Sequence, residues 1–287
     1  FAPAKQVAFY GGDYDNFTYP RWCLDCAFFR VYEDGKPIDS SKWFFQFETD
    51  GAKNGDLVFV SGHPGGTERS LTYDEMVMHR DLWTPQVVAL LTNNVRVIKA
   101  RMEQSEEAAF QLRDTYFGQM NSLKAFTGHL NGLLDEERMA LIQARDQELI
   151  EKSGKDEVQA AFAAIKAEME KLMAKHSGER VNFQAMRKDM AASTEAVAEH
   201  KTVINKARFD VYGDKNYPDA TFTLRLAYGT VEGYEAGTTK VSPKTTVHGL
   251  YERNAAFDNE HPFDLPQQWL DKKDELVLLQ LAVKYKL

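Results

Sequence analysis

Residues 217–234 read YPDATFTLRLAYGTVEGY. Phe222, Leu224, Leu226 and Tyr228 alternate with Thr221, Thr223 and Arg225, the period of two that puts one set of side chains on each face of a strand. Pro218 and Gly229 bound the run. The stretch before it has a different period. Val88, Leu91, Val95, Ile98 and Met102 step by three or four, as do Tyr116, Met120, Leu123, Leu130 and Leu134, with Thr127 filling one slot. Val158, Phe162, Ile165, Met169 and Leu172 repeat the pattern, and charges lie between the stripes. Such stripes fit an antiparallel bundle with solvated outer faces, and the heptads are too short-lived for an extended coiled coil. Earlier still, the apolar runs QVAFY, CAFFRVY, KWFFQFE and DLVFVSG are separated by the turn signals EDGKP, TDGAKNGD and GHPGG. Strands that resume after a helical block predict a mixed β and α protein with helices inserted into a β domain. The expected segments are β at 1–83, helices at 84–208 and β again at 209–287. The hinges fall near Thr84–Pro85 and Asp210–Gly213.

The bulk numbers are compatible with a sizeable core. The chain has 287 residues, 43% hydrophobic and 27% charged, with a formal net charge of -8. That balance argues against a general nucleic-acid binder, which would be basic. No run approaches the roughly 18 apolar residues of a membrane-spanning helix. The chain starts at Phe1, in strand-like sequence, and reads as a processed or trimmed piece. Its two cysteines, Cys23 and Cys26, lack the second pair or the histidines that a zinc ribbon needs. A redox C-x-x-C opens a helix, whereas this one runs into AFFRVY, where positions three apart face opposite ways. Two buried thiols are expected there. Neither a metal nor a cofactor is expected.

Several residues stand out chemically. Asp25 sits beside Leu24, Cys26, Ala27, Phe28 and Phe29, where an ionised carboxylate is costly unless paired or hydrogen-bonded. It is either a structural aspartate bonded to backbone amides or to Arg21 or Arg30, or a carboxylate that orients a catalytic histidine. No G-x-S-x-G occurs. Ser61 and His63 share the glycine-rich stretch VSGHPGG, as turn residues or as a nucleophile and base. The other histidines, His79, His129, His176, His200, His248 and His261, form no H-x-x-x-H pair. In DNFTYPR, Asn16 can both donate and accept, and Phe17, Tyr19 and Trp22 can wall a pocket for a peptide end; the same residues also suit a tight turn. Asn121, in FGQMNSLKAFTGHLNG, shares a helix face with Lys124 and Gly128 and is either an exposed polar position or a reader of a ligand in a cleft.

The combination of GGDYDNFTYPRWCLDCAFFRVYEDGKP, DLVFVSGHPGGTER, FGQMNSLKAFTGHLNGL and YPDATFTLRLAYGTVEGY, in that order, resembles the bacterial serine dipeptidyl-peptidases of the dipeptidyl-peptidase 7 and 11 type. The resemblance implies a chymotrypsin-like double β-barrel, here partial, with an inserted helical domain acting as a lid over a cleft that admits a peptide N-terminus. It implies Asp25 as the triad aspartate, and Asn16 and Phe17 as the edge that holds the substrate's amino group. Phe17 stands where the family often has tryptophan. Asn121 is implied as the helical-domain asparagine that contacts the same amino group. It further implies a homodimer at the bacterial periplasm or cell surface that works without metal. The family's histidine and serine have no counterpart in these 287 residues. The chain is therefore expected to be an internal fragment, inactive alone. The alternative is a non-catalytic peptide-binding or scaffold protein with a β platform and a helical arm.

Overall fold

The computed structural model describes residues 16–17, 30–43, 51–178, 182–244, 248–261 and 263–275. Its contacts divide the chain into two compact units. One comprises Phe1–Gly62 and Leu224–Leu287, the other His63–Thr223.

The second unit is helical. It opens with α1 (Tyr73–Met78), a π-helical turn (His79–Trp83) and α2 (Thr84–Met102), which run on as one helix. The predicted start at Thr84 is thus too late, and the reason is Pro85. A proline inside a helix has no N–H and collides with the carbonyl four residues back. Here the chain widens into a π turn, with the Thr84 N–H donating to His79 five residues back. The real start is Thr72, whose hydroxyl accepts from the Glu75 N–H while the Glu75 carboxylate accepts from the Thr72 N–H.

The remaining helices are α3 (Glu106–Leu133), α4 (Glu136–Ser153), α5 (Asp156–Lys175), α6 (Phe183–Ala196) and α7 (Ala198–Tyr212). Ser105, Asp135 and Asn182 cap α3, α4 and α6 through side-chain oxygens. Gly154 ends α4 with a left-handed φ of 58°, a conformation glycine adopts without penalty. Helices α2 and α3 lie antiparallel, since Asn94 bonds Gln119 at 3.1 Å while His79 meets His129.

The core is centred on α5. Val158 and Ile165 are fully buried, and Phe162, Met169 and Leu172 nearly so, as their spacing predicts. Each such side chain contributes about 1.5–3 kcal/mol through burial. Met78, Leu82, Leu149, Met186, Val197, Ile204 and Ala207 complete the cluster, and Trp83 stacks on Phe183 at 5.4 Å. On α3 the buried residue at the C-terminal end is Leu133, and Leu134 is exposed. The helix stops there, so Leu134 leaves the stripe.

The first unit holds three two-stranded antiparallel sheets among the described residues, and no closed barrel. Strands β1 (Tyr32–Glu33) and β2 (Lys36–Pro37) flank Asp34–Gly35, both at positive φ, as the EDGKP turn signal requires. Strand β3 (Leu57–Gly62) pairs with β4 (Arg225–Thr230), so the chain leaves this ribbon, builds every helix from α1 to α7, and returns to it. Strands β5 (Tyr234–Ala236) and β6 (Thr239–Val241) form the last hairpin. Beyond them the described residues are helical, in α8 (His248–Ala256) and α9 (Gln267–Asp271), where the sequence predicted a return to β. Most of the KWFFQFE run lies outside the described residues.

The decisive strand is shorter than its alternation suggests. Phe222 has a φ of 61°, which breaks the extended run, and the ladder begins at Arg225. Leu224, Leu226 and Tyr228 are all exposed, with Tyr228 leaning on Phe59 across the ribbon at 6.1 Å.

Candidate functional site

The loop from His63 to Thr72 is shaped by Asp219. Its carboxylate accepts from the Thr67 hydroxyl at 2.7 Å, the Arg69 N–H at 2.7 Å, the Ser70 N–H at 3.0 Å and the Ser70 hydroxyl. Burial raises the Asp219 pKa, but these donors outweigh it and hold the carboxyl below its ordinary range. Nearby, the carbonyls of Pro64 and Gly65 both accept the Phe222 N–H, at 3.1 and 2.9 Å.

So held, the loop walls a groove of about 780 Å³ with Met76 of α1 and with Ala125, Phe126 and His129 of α3. Glu68 reaches into it, 3.7 Å from Nε2 of His129. Behind them, His129 stacks on His79 at 6.1 Å and 21°. Nδ1 of His79 has no hydrogen-bond partner among the described residues. Burial is the main reason its pKa lies below 6.5, and His129 and Lys201 push the same way against Glu68 and Glu75. Glu75 is buried and accepts from Lys201 Nζ at 2.9 Å.

Asn121 lies on α3 one helical turn before Ala125, on the face that carries Ala125 and His129. It is half-buried. A carboxylate such as Glu68 accepts from an ammonium, and an asparagine both donates and accepts. This part of the helical unit therefore has groups suited to a positively charged amine. Glu68, His79 and His129 escaped the sequence reading because a loop and two helices far apart in the chain bring them together. No local spacing marks them.

In the other unit, Asn16 is buried and Phe17 is 61% exposed, in a turn where Phe17 has a φ of 63°. A bulky residue in left-handed backbone is strained, and such strain concentrates at functional sites. Asn16 and Phe17 are thus neighbours in one turn, while Asn121 belongs to the helical unit. Asp25 lies outside the described residues, as do Tyr19, Arg21, Trp22, Cys23 and Cys26. Ser61 sits in β3 opposite Leu226, and the His63 ring lies 6.0 Å from that of Phe222. No hydrogen bond joins Ser61 to His63 among the described residues. No group of three or more His, Cys, Asp or Glu side chains among the described residues could hold a metal ion, and no helix there is long and apolar enough to cross a membrane.

Short antiparallel sheets before and after a long helical stretch of the chain define a mixed α/β protein. The peptidase S46 family matches residues 1–188 and 180–278, so the chain belongs to that family. It is 30% identical over 160 residues to an Asp/Glu-specific dipeptidyl-peptidase of Shewanella putrefaciens, covering 52% of this chain and 22% of that protein. It is 25% identical over 183 residues to dipeptidyl-peptidase 7 of Phocaeicola vulgatus, covering 59% and 25%. The chain thus spans about a quarter of the length of these relatives. The crystal structure of Porphyromonas endodontalis DPP11 in complex with the dipeptide Arg-Glu superposes with a TM-score of 0.66 at 15% identity, covering 93% of this chain and 62% of that one. At that identity the likeness speaks for the fold alone.

Proposed function

We propose that this chain is part of a serine dipeptidyl-peptidase that releases dipeptides from the free N-terminus of peptides. The observation that carries the proposal is the match to peptidase S46 over residues 1–188 and 180–278. Asp25 is the triad carboxylate. It stays ionised, fixes the tautomer of a histidine contributed from elsewhere in the whole protein, and stabilises the imidazolium as a serine attacks the peptide carbonyl. An acyl-enzyme forms and water releases the dipeptide. Asn16 and Phe17 hold the substrate's amino end, with the Asn16 amide accepting from the ammonium and Phe17 as apolar wall. The strained, outward-facing Phe17 beside a buried Asn16 supports that role. Asn121 contacts the same amino group from the helical domain.

In this reading the β3–β4 ribbon belongs to a chymotrypsin-like double β-barrel, and helices α1 to α7 form a lid inserted into it. The passage of the chain from β3 into the helices and back to β4 supports the insertion. The whole enzyme acts at the bacterial periplasm or surface as a homodimer.

The test is made in the whole protein with a dipeptidyl-naphthylamide substrate. Asp25→Ala should lower kcat by about 10⁴-fold, the scale set by triad aspartates, with little change in the unfolding midpoint. Turnover near that of the unaltered enzyme would refute the assignment. Asn16→Ala should raise KM for peptides with a free amino end more than it lowers kcat.

A further inference from the structure

A second concavity of about 610 Å³ in the helical unit has a different chemistry from the groove at Glu68. The side chains of Arg69, Arg145, Arg208 and Lys215 line it. Three carboxylates act on these cations, Asp219, Asp146 and Glu75, and all are already engaged, Glu75 by Lys201 Nζ at 2.9 Å. Asp219 is wrapped by the donors of the 67–70 loop. Asp146 accepts from Arg145 through Nε at 2.9 Å and Nη2 at 2.7 Å, and from the Tyr73 N–H at 2.6 Å. Arg208 comes second to that carboxylate, with Nη2 3.7 Å from it. Its Nη1 donates to the Ser70 carbonyl at 2.8 Å, and Nη2 is buried without a hydrogen-bond partner among the described residues. The side-chain donors of Arg69 and Lys215 meet no acceptor among the described residues. Asp210, on the adjoining turn, is taken by Lys155 at 2.8 Å.

Burial and the Arg145 guanidinium together push Arg208 below its ordinary pKa, against Asp146, Glu75 and Asp219. A negative charge entering the pocket would reverse that pressure. The excess of cations is local, since the chain as a whole carries a net charge of -8. The pocket lining also includes apolar and aromatic residues. Phe209 and Tyr217 are 67% and 84% exposed there, beside Pro218. Guanidinium groups match the planar fork of a carboxylate, and flat rings give its carbon body a surface.

We propose that this pocket binds small organic carboxylates that carry an apolar or aromatic body. The guanidinium of Arg69 and the ammonium of Lys215 meet the oxygens, Arg145 and Arg208 supply a fixed positive field behind them, and Phe209 with Tyr217 cover the body. The site is concave, mostly apolar and supplied with a few convergent polar groups, the usual makeup of a small-molecule site.

Isothermal titration of the 287-residue chain with isophthalate tests this, with dimethyl isophthalate and inorganic phosphate as comparisons. Isophthalate should bind saturably and lose affinity as sodium chloride is raised. The uncharged diester should give no saturable signal, and phosphate should bind about tenfold more weakly for want of the apolar contact. Arg69→Ala with Lys215→Ala should weaken isophthalate by about tenfold or more. Both side chains project from the surface, so the circular dichroism spectrum should be unchanged. Phe209→Ala should weaken isophthalate but not phosphate. Absence of saturable isophthalate binding, or equal binding by the Arg69/Lys215 variant, would overturn the site. Phosphate binding as tight as isophthalate would overturn the assignment of an organic carboxylate.

Discussion

His79 illustrates how a single side chain comes to matter through neighbours that the sequence does not place beside it. Glu68, His129, Glu75 and Lys201 all face it, and burial is what keeps its pKa below 6.5 in the folded chain. The consequence for stability has a definite sign. Above about pH 6.5 the histidine is neutral in folded and unfolded chains alike, and its contribution is fully present. As pH falls below 6.5 the unfolded chain takes up the proton first, so stability declines, and the decline levels off once pH passes below the folded value. Urea unfolding at pH 7.5 and 5.5 should therefore show a larger loss for the unaltered chain than for His79→Gln; equal losses would show that His79 is not held neutral. Asn16, Phe17 and Asn121 were legible as candidates because asparagine amides and aromatic clusters are chemically conspicuous in any window. Glu68 and His129 were not, because a glutamate in a loop and a histidine in a helix are ordinary until packing sets them 3.7 Å apart.

At the scale of elements, α5 shows what periodicity conveys well. All five residues of its predicted stripe are buried, and Ile165 completely so. Ile165→Ala should cost about 2–5 kcal/mol in a denaturant titration, because a cavity opens in a packed core. Leu141→Ala, at a position 72% exposed on α4, should stay within about 0.5 kcal/mol. A comparable loss at both sites would contradict the packing. Asp219 works between elements, fastening the 67–70 loop to the segment that follows α7. Asp219→Ala removes the acceptor of four donors and should cost about 1–3 kcal/mol. Amide exchange at Arg69 and Ser70 should accelerate in that variant. Periodicity served less well at α1 and β4. Pro85 looks like a boundary in sequence, and the π turn before it makes it an interior residue. Phe222 looks like a strand residue, and its positive φ makes it a turn.

At the scale of the whole molecule, the helical unit His63–Thr223 carries its own core, since every residue of the main buried cluster falls between Met78 and Ala207. A polypeptide of residues 63–223 should therefore fold alone and melt in one cooperative transition by circular dichroism; a featureless, gradual melt would show that it depends on the rest of the chain. That a helical block lies between stretches with strands was legible in the sequence, because hydrophobic period is a property of neighbours in the chain; helices α8 and α9 after β6 were not. The division of α5 into a buried and a solvated face was legible too, because a stripe that repeats every three or four residues has only one side to bury. Tertiary structure decided what lies across from what. It paired β3 with β4, which the helical segment separates in sequence, joined Asp219 to the 67–70 loop, and gathered Glu68, His79 and His129 beside one groove. It also left Leu226 and Tyr228 exposed, because alternation assigns a side chain to a face of a strand and says nothing about what covers that face.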